Sequence, residues 1–174
     1  DLRYFTGYEA VPLERLTCLV LPSAGDPVKV VPGLEVLAAK ASPIGVLGLT
    51  LHAWGETDDP VSLVASLLPG AGTIALDDHM WAEKVLRLRA AMPGARQVIA
   101  GPVIHPLRMR KDSAEIAALR NAGAAIDAVH ADVAGLLRPG RTEREVGRDI
   151  AERILAAGHV SVDFVIVASG PNGE

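Results

Sequence analysis

Residues that commonly announce a chemistry are scarce in this sequence. A single cysteine among 174 residues excludes an intrachain disulfide and any cysteine-built zinc site. That residue, Cys18, lies in the apolar run LTCLVL and reads as a small buried hydrophobe, not a reactive thiol. A reducing cytoplasm is the expected compartment. No apolar run approaches the roughly 20 residues that span a bilayer, and the opening DLRYFTGY has no apolar h-region of a signal peptide. The chain starts on Asp1 with no Met, so a trimmed start is expected. Positive charge is not in surplus. The net charge of −4 gives no general attraction to nucleic acid or an anionic membrane, and neither is expected as a partner. There is no G-x-S-x-G elbow, Walker loop or H-E-x-x-H pair. The GAG at 70–72 precedes a strand pattern instead of opening a helix, which is the wrong context for a dinucleotide loop.

Apolar residues make up 49% of the chain, enough to bury a sizeable core. The length suits one large domain, or one domain and part of a second. From Thr17 to Arg110 short β-type runs alternate with helical ones. TCLVL and VKVV, separated by PSAGDP, read as a hairpin or two strands with a short loop. LEVLAAKA is a short helical run and GLTLHAW a strand. DDPVSLVASLL is a helix with Asp59 as N-cap before Pro60. TIALD, MWAEKVLRLRAAM and ARQVIA follow as strand, helix and strand. This alternation predicts an α/β layer domain.

The character changes after GPVIHPLRMR. Asp112 and Glu115 have the spacing of a capping box. Ile116, Leu119, Ile126, Val129, Val133 and Leu136 recur at helical spacing to about Leu137, where RPG stops the run. Thr142 and Glu145 form a second capping box before the stripe Val146, Ile150 and Ile154. Only one further strand, VDFVIVAS, remains to pack against these two helices. The second domain is therefore expected to be begun and unfinished, with apolar stripes exposed for self-association.

Isolated polar residues point to structure before chemistry. Histidines 52, 79, 105, 130 and 159 show no ligand spacing and read as satisfied or solvated side chains. The DDH at 77–79 would suit a metal by residue type, but stands where Asp caps a strand-to-helix turn. Glu14 and Arg15 read as a surface ion pair. On residue chemistry alone the chain is a two-part α/β protein with no self-contained active site.

The order of segments, however, resembles a known family. DLRYFTGYEAVPLERLTCLVLP is similar to the D-x-x-Y-x-T-G-[YF] segment and following strand of the creatinase-type N-terminal domain. LRMRKDSAEIAALRNAGAAIDAVHADVAGLLRPGRTEREV resembles the junction at which that domain meets the pita-bread catalytic domain. The junction pattern is carried by Arg108, Lys111, Asp112, Glu115, Ile116, Leu119, Arg120, Pro139, Gly140, Thr142, Glu143 and Glu145. VDFVIVASGPNGE resembles the first catalytic-domain strand and its G-x-N turn. The family is that of Xaa-Pro dipeptidase (prolidase) and Xaa-Pro aminopeptidase.

The resemblance implies a creatinase-like α/β domain at 1–107 and, at 108–174, the start of an α+β pita-bread domain cut off before its active site. It further implies a homodimeric cytoplasmic metallopeptidase that cleaves before proline in an Xaa-Pro dipeptide or short peptide. Two divalent metal ions, manganese by preference, bridge a hydroxide in that family. Their ligands follow the G-x-N turn, so this portion is expected to bind no metal and to hold no catalytic residue. By the same resemblance, EAVPLER corresponds to a loop that reaches over the partner subunit's active site, with Glu14 and Arg15 retained. Val11 and Leu13 replace polar residues of some dipeptidases, which implies a more apolar loop. Arg15 is a candidate to pair with a substrate carboxylate. Phe164 is a candidate cleft residue, with a core position as its other reading. Trp54 is placed either at the dimer partner or in surface packing. Xaa-Pro aminopeptidase, creatinase, a pita-bread protein that binds without catalysis, and a small-molecule-binding module are the alternatives.

Overall fold

The computed structural model describes residues 1–10 and 14–173. Val11 and Leu13 lie outside the described residues. The chain divides into two compact units, Asp1–Arg108 and Met109–Glu174.

Unit 1 is an α/β arrangement, as the alternation predicts. A short helix α1 (Leu2–Thr6) precedes β1 (Cys18–Val20), β2 (Val28–Pro32), α2 (Val36–Ala41) and β3 (Thr50–Trp54). Then come α3 (Pro60–Ser66), β4 (Thr73–Leu76), α4 (Ala82–Ala91), β5 (Arg96–Ile99) and α5 (Gly101–Met109). β1 and β2 form an antiparallel hairpin, while β2 runs parallel to β3. β4 and β5 make a separate parallel pair. The parallel pairs require crossovers: α2 lies between β2 and β3, and α4 between β4 and β5.

β2 is the buried centre. Successive side chains of a strand point to opposite faces, and β2 is buried on both. Val30 joins one core cluster with Leu16, Val20, Trp54, Val61, Val64 and Leu88. Val31 joins another with Tyr8, Ala39 and Ile44. Trp54 thus corrects its expected place at a surface or dimer partner. It is 8% exposed, and its Nε1 donates to the Leu16 carbonyl at 3.0 Å. An indole buries a large apolar area once its single donor is satisfied.

Asp59 caps α3 as expected, accepting from the Val61 amide at 3.1 Å. Helix α5 covers GPVIHPLRM, the stretch just ahead of the change of character, for which the sequence announces no element. Asp78 holds its start, accepting from the Gly101 amide at 2.8 Å. A Cβ at Gly101 would collide with the Asp78 carboxylate, so a larger residue there would have to displace the side chain that holds the helix start.

Unit 2 contains α6 (Ser113–Leu136) and α7 (Glu143–Ala156), each started by the reciprocal capping box that its sequence announces. Val129 and Leu136 of α6 and Val146 of α7 are buried, whereas Ile116, Leu119 and Ile126 are exposed. The expected strand VDFVIVAS is not formed: residues 162–169 carry no regular secondary structure. Its apolar alternation is real, but a strand exists only through a hydrogen-bonded neighbour, and unit 2 has no other strand among the described residues.

Candidate functional site

Glu14 and Arg15 precede β1 in unit 1 and are held by ties distant in sequence. The Arg15 guanidinium faces two carboxylates, Glu14 at 3.5 Å and Glu56 at 3.4 Å. Lys84 of α4 donates to the Glu14 carbonyl at 2.7 Å, while its ammonium lies 5.0 Å from the centre of the Trp81 ring. Glu14 is exposed and Arg15 half-buried. A substrate carboxylate approaching Arg15 would therefore compete with two resident carboxylates. Neither Glu56 nor Lys84 has a local sequence signal, because the fold alone brings them to this segment.

The residues behind the opening motif are structural. The Asp1 carboxylate accepts from Arg108 at 2.7 Å, and that guanidinium stands 5.8 Å from the centre of the Tyr4 ring. Thr6 donates to the Leu2 carbonyl at 2.7 Å and accepts from the Tyr8 amide at 3.2 Å. Gly7 ends α1 at φ 66°, a left-handed conformation that favours glycine. Asp77 accepts from the His79 amide at 2.8 Å, so the DDH stretch anchors turns as expected of it.

In unit 2, Glu143 gathers a turn. Its carboxylate accepts from the Ser169 amide at 2.7 Å, the Ser169 hydroxyl at 2.9 Å and the Asn172 amide group at 3.2 Å. Hydrogen bonds from Asn172 and then Ser169 hold its pKa below the usual carboxylate value. The signal for this role was its place in the junction motif. Phe164 belongs to the same unit and is not a core residue, being 77% exposed. It borders an open depression of about 510 Å³, together with Glu143, Arg144, Gly147, Val162 and Val165. Glu14 and Arg15 are thus neighbours in unit 1, and Phe164 is in unit 2. Among the described residues, no group of three or more His, Cys, Asp or Glu side chains is placed to hold a metal ion.

Comparison with known proteins bears on the junction and the opening motif together. The description "Creatinase/Prolidase N-terminal domain" matches residues 1–110, and "Metallopeptidase family M24" matches residues 117–174. The chain belongs to the creatinase/prolidase family. A Mycobacterium tuberculosis protein named "Probable dipeptidase PepE" is 51% identical over 174 residues, covering 99% of this chain and 46% of that protein. The crystal structure of dipeptidase PepE from Mycobacterium ulcerans is 50% identical, with a TM-score of 0.91 over 99% of this chain and 47% of the other. A recombinant prolidase from Thermococcus sibiricus matches at 28% identity and a TM-score of 0.81, covering 98% of this chain and 47% of its own. The chain spans about half the length of these relatives. No described helix is long and apolar enough to cross a membrane.

Proposed function

We propose that the protein acts as an Xaa-Pro dipeptidase, hydrolysing the bond before a C-terminal proline as a cytoplasmic homodimer. The observation that carries this reading is the 51% identity to a dipeptidase-named relative across nearly the whole chain. Residues 1–107 serve as the creatinase-type domain, and residues 108–174 contribute α6, α7 and the Glu143-held turn to the M24 region. Divalent metal ions, manganese by preference, would supply the nucleophilic hydroxide and carbonyl polarisation in such an enzyme. The described residues do not fit a metal centre, and no step is assigned to them. The 174-residue chain by itself is expected to hydrolyse no dipeptide.

This chain's own residues supply walls and supports. Phe164 presents an apolar ring at the depression in unit 2, suited to packing and exclusion of water. Arg15 is a candidate for the substrate's free carboxylate, with exchange against Glu14 and Glu56 setting its strength.

The test is hydrolysis of Gly-Pro and Ala-Pro by the longer enzyme carrying these residues, with and without manganese. Metal-dependent cleavage of dipeptides supports the reading. Cleavage confined to longer peptides with proline second assigns an aminopeptidase instead. In the same assay, Arg15→Ala is expected to raise KM about tenfold or more with kcat little changed, as for a lost charge-assisted contact to substrate. An unchanged KM removes Arg15 from the substrate site.

A further inference from the structure

Lys29 has the least expected position in the molecule. On the strand pattern VKVV it would be taken for a solvent-facing residue, yet it is fully buried at 0% exposure. Its Nζ has no hydrogen-bond partner among the described residues. It lies 5.1 Å from the centre of the Tyr8 ring, an arrangement in which a cation meets the negative face of an aromatic. The Tyr8 hydroxyl in turn donates to Glu35 Oε2 at 3.2 Å. The Thr17 hydroxyl donates to that same oxygen, also at 3.2 Å. One carboxylate oxygen therefore gathers two hydroxyls that flank the segment carrying Glu14 and Arg15, with a buried ammonium close by.

We propose that Glu35, backed by the buried Lys29, is a positioning residue: a clasp that joins Tyr8 to the entry of β1 and so fixes where Glu14 and Arg15 emerge. Three features favour this over a chance surface contact. Both donors sit at partly buried sites, where a hydrogen bond is screened less than in water. The Lys29 ammonium has no hydrogen-bond acceptor among the described residues, and it lies beside the Tyr8 ring that Glu35 holds. The residues next to the clasp are also immobilised: Leu16 is 5% exposed and its carbonyl accepts from Trp54.

The titratable groups facing Lys29 are Tyr8 before β1, Cys18 on β1 and Glu35 ahead of α2. Burial lowers the Lys29 ammonium to about 8, with Cys18 and Glu35 opposing that shift. Burial also raises the Tyr8 hydroxyl, and the Glu35 charge adds to it. Each group thus responds to Glu35 in the direction a clasp requires.

Trypsin reads the clasp in the chain itself, with no substrate needed, so a failure of the dipeptidase reading leaves the test intact. Cleavage at Arg15–Leu16 is followed by mass spectrometry against two internal references, Arg89–Ala90 in unit 1 and Arg141–Thr142 in unit 2. Glu35→Ala, and separately the pair Tyr8→Phe with Thr17→Val, are expected to speed Arg15–Leu16 cleavage about tenfold, the scale of two lost hydrogen bonds. Both references should stay within about twofold. Glu35→Gln keeps an acceptor oxygen and should restore most of the protection. It should also lower the Lys29 titration midpoint, followed by NMR, by about one unit, as expected on losing a nearby opposite charge. Unchanged cleavage after Arg15 in Glu35→Ala overturns the assignment, as does a rise matched at Arg89. A Lys29 midpoint unmoved by Glu35→Gln overturns it equally.

Discussion

Units 1 and 2 draw on the same stock of aliphatic and charged side chains, but they close over their apolar residues differently. Unit 1 buries one cluster on each face of β2. Unit 2 buries Val129, Leu136 and Val146 and leaves Ile116, Leu119, Ile126 and Phe164 in solvent. The difference lies in what each kind of element needs. A helix satisfies its backbone internally and needs only caps and one apolar contact. A sheet needs several strands, and unit 1 supplies them from its own sequence, whereas the strand-like run 162–169 finds none among the described residues of unit 2. Local signals suffice to form α6 and α7, but they do not complete a core.

Mutations on equivalent apolar side chains sharpen this contrast most. Trp54→Ala should cost about 3–5 kcal/mol, the range for emptying an aromatic site in a packed core. Leu119→Ala, on the exposed stripe of α6, should fall within about 0.5 kcal/mol of the parent. Chemical denaturation of the two variants measures both, and equal effects would break the comparison.

The next effect belongs to unit 1 alone and depends on pH. Unfolded Lys29 keeps its proton up to its ordinary value of 10.5, while the folded residue releases it at about 8. Between these values the unfolded chain binds more protons, so this residue makes stability rise with pH. Cys18 acts oppositely. Burial raises its thiol from 9.0 to about 11, so the folded chain retains a proton that the unfolded chain loses, and stability falls with pH over that window. The rise should therefore stand clear between about pH 8 and 9 and be offset above it. Lys29→Met is expected to abolish that rise and to stabilise the protein by about 1–3 kcal/mol at pH 7, as measured by urea unfolding across pH.

The smallest expected effect falls in unit 2. Thr142 accepts from the Glu145 amide, and Thr142→Ala should cost about 1 kcal/mol of α7 stability. Hydrogen exchange of the first-turn amides of α7 should report the loss there, while amides of β2 keep their protection. A loss shared by β2 would mean that the two units do not respond separately.

How much of this was legible in the sequence depended on range. Caps and capping boxes act over three or four residues, so Asp59, Asp112 with Glu115, and Thr142 with Glu145 could be read directly. The strands of unit 1 were legible from β-type runs between turn formers. Helix α5 was not, because Pro102 and Pro106 suggest a break, while the Asp78 carboxylate that holds its start comes from 23 residues away. Trp54 was misplaced because nothing local reveals that the Leu16 carbonyl satisfies its indole. Lys29 was hidden by the ordinary rule that lysine faces water. In the candidate site, Glu14 and Arg15 could be named from the family pattern. Their ties to Glu56 and Lys84, 70 residues away in the latter case, are products of the fold. Glu143 was visible as a motif letter, but its grip on Ser169 and Asn172 was not.

The capping boxes also bear on order in time. Each links residues three apart, so the start of each helix is specified before any distant residue is available. A chain lengthening from its N-terminus carries the start signal of each helix as soon as that four-residue segment exists. Closing the first turn remains costly, so the box chooses where a helix starts and does not by itself hold it. Whatever covers the outer stripes of α6 and α7 therefore meets segments whose starting residues are already marked, and its contact is what makes the helices persist.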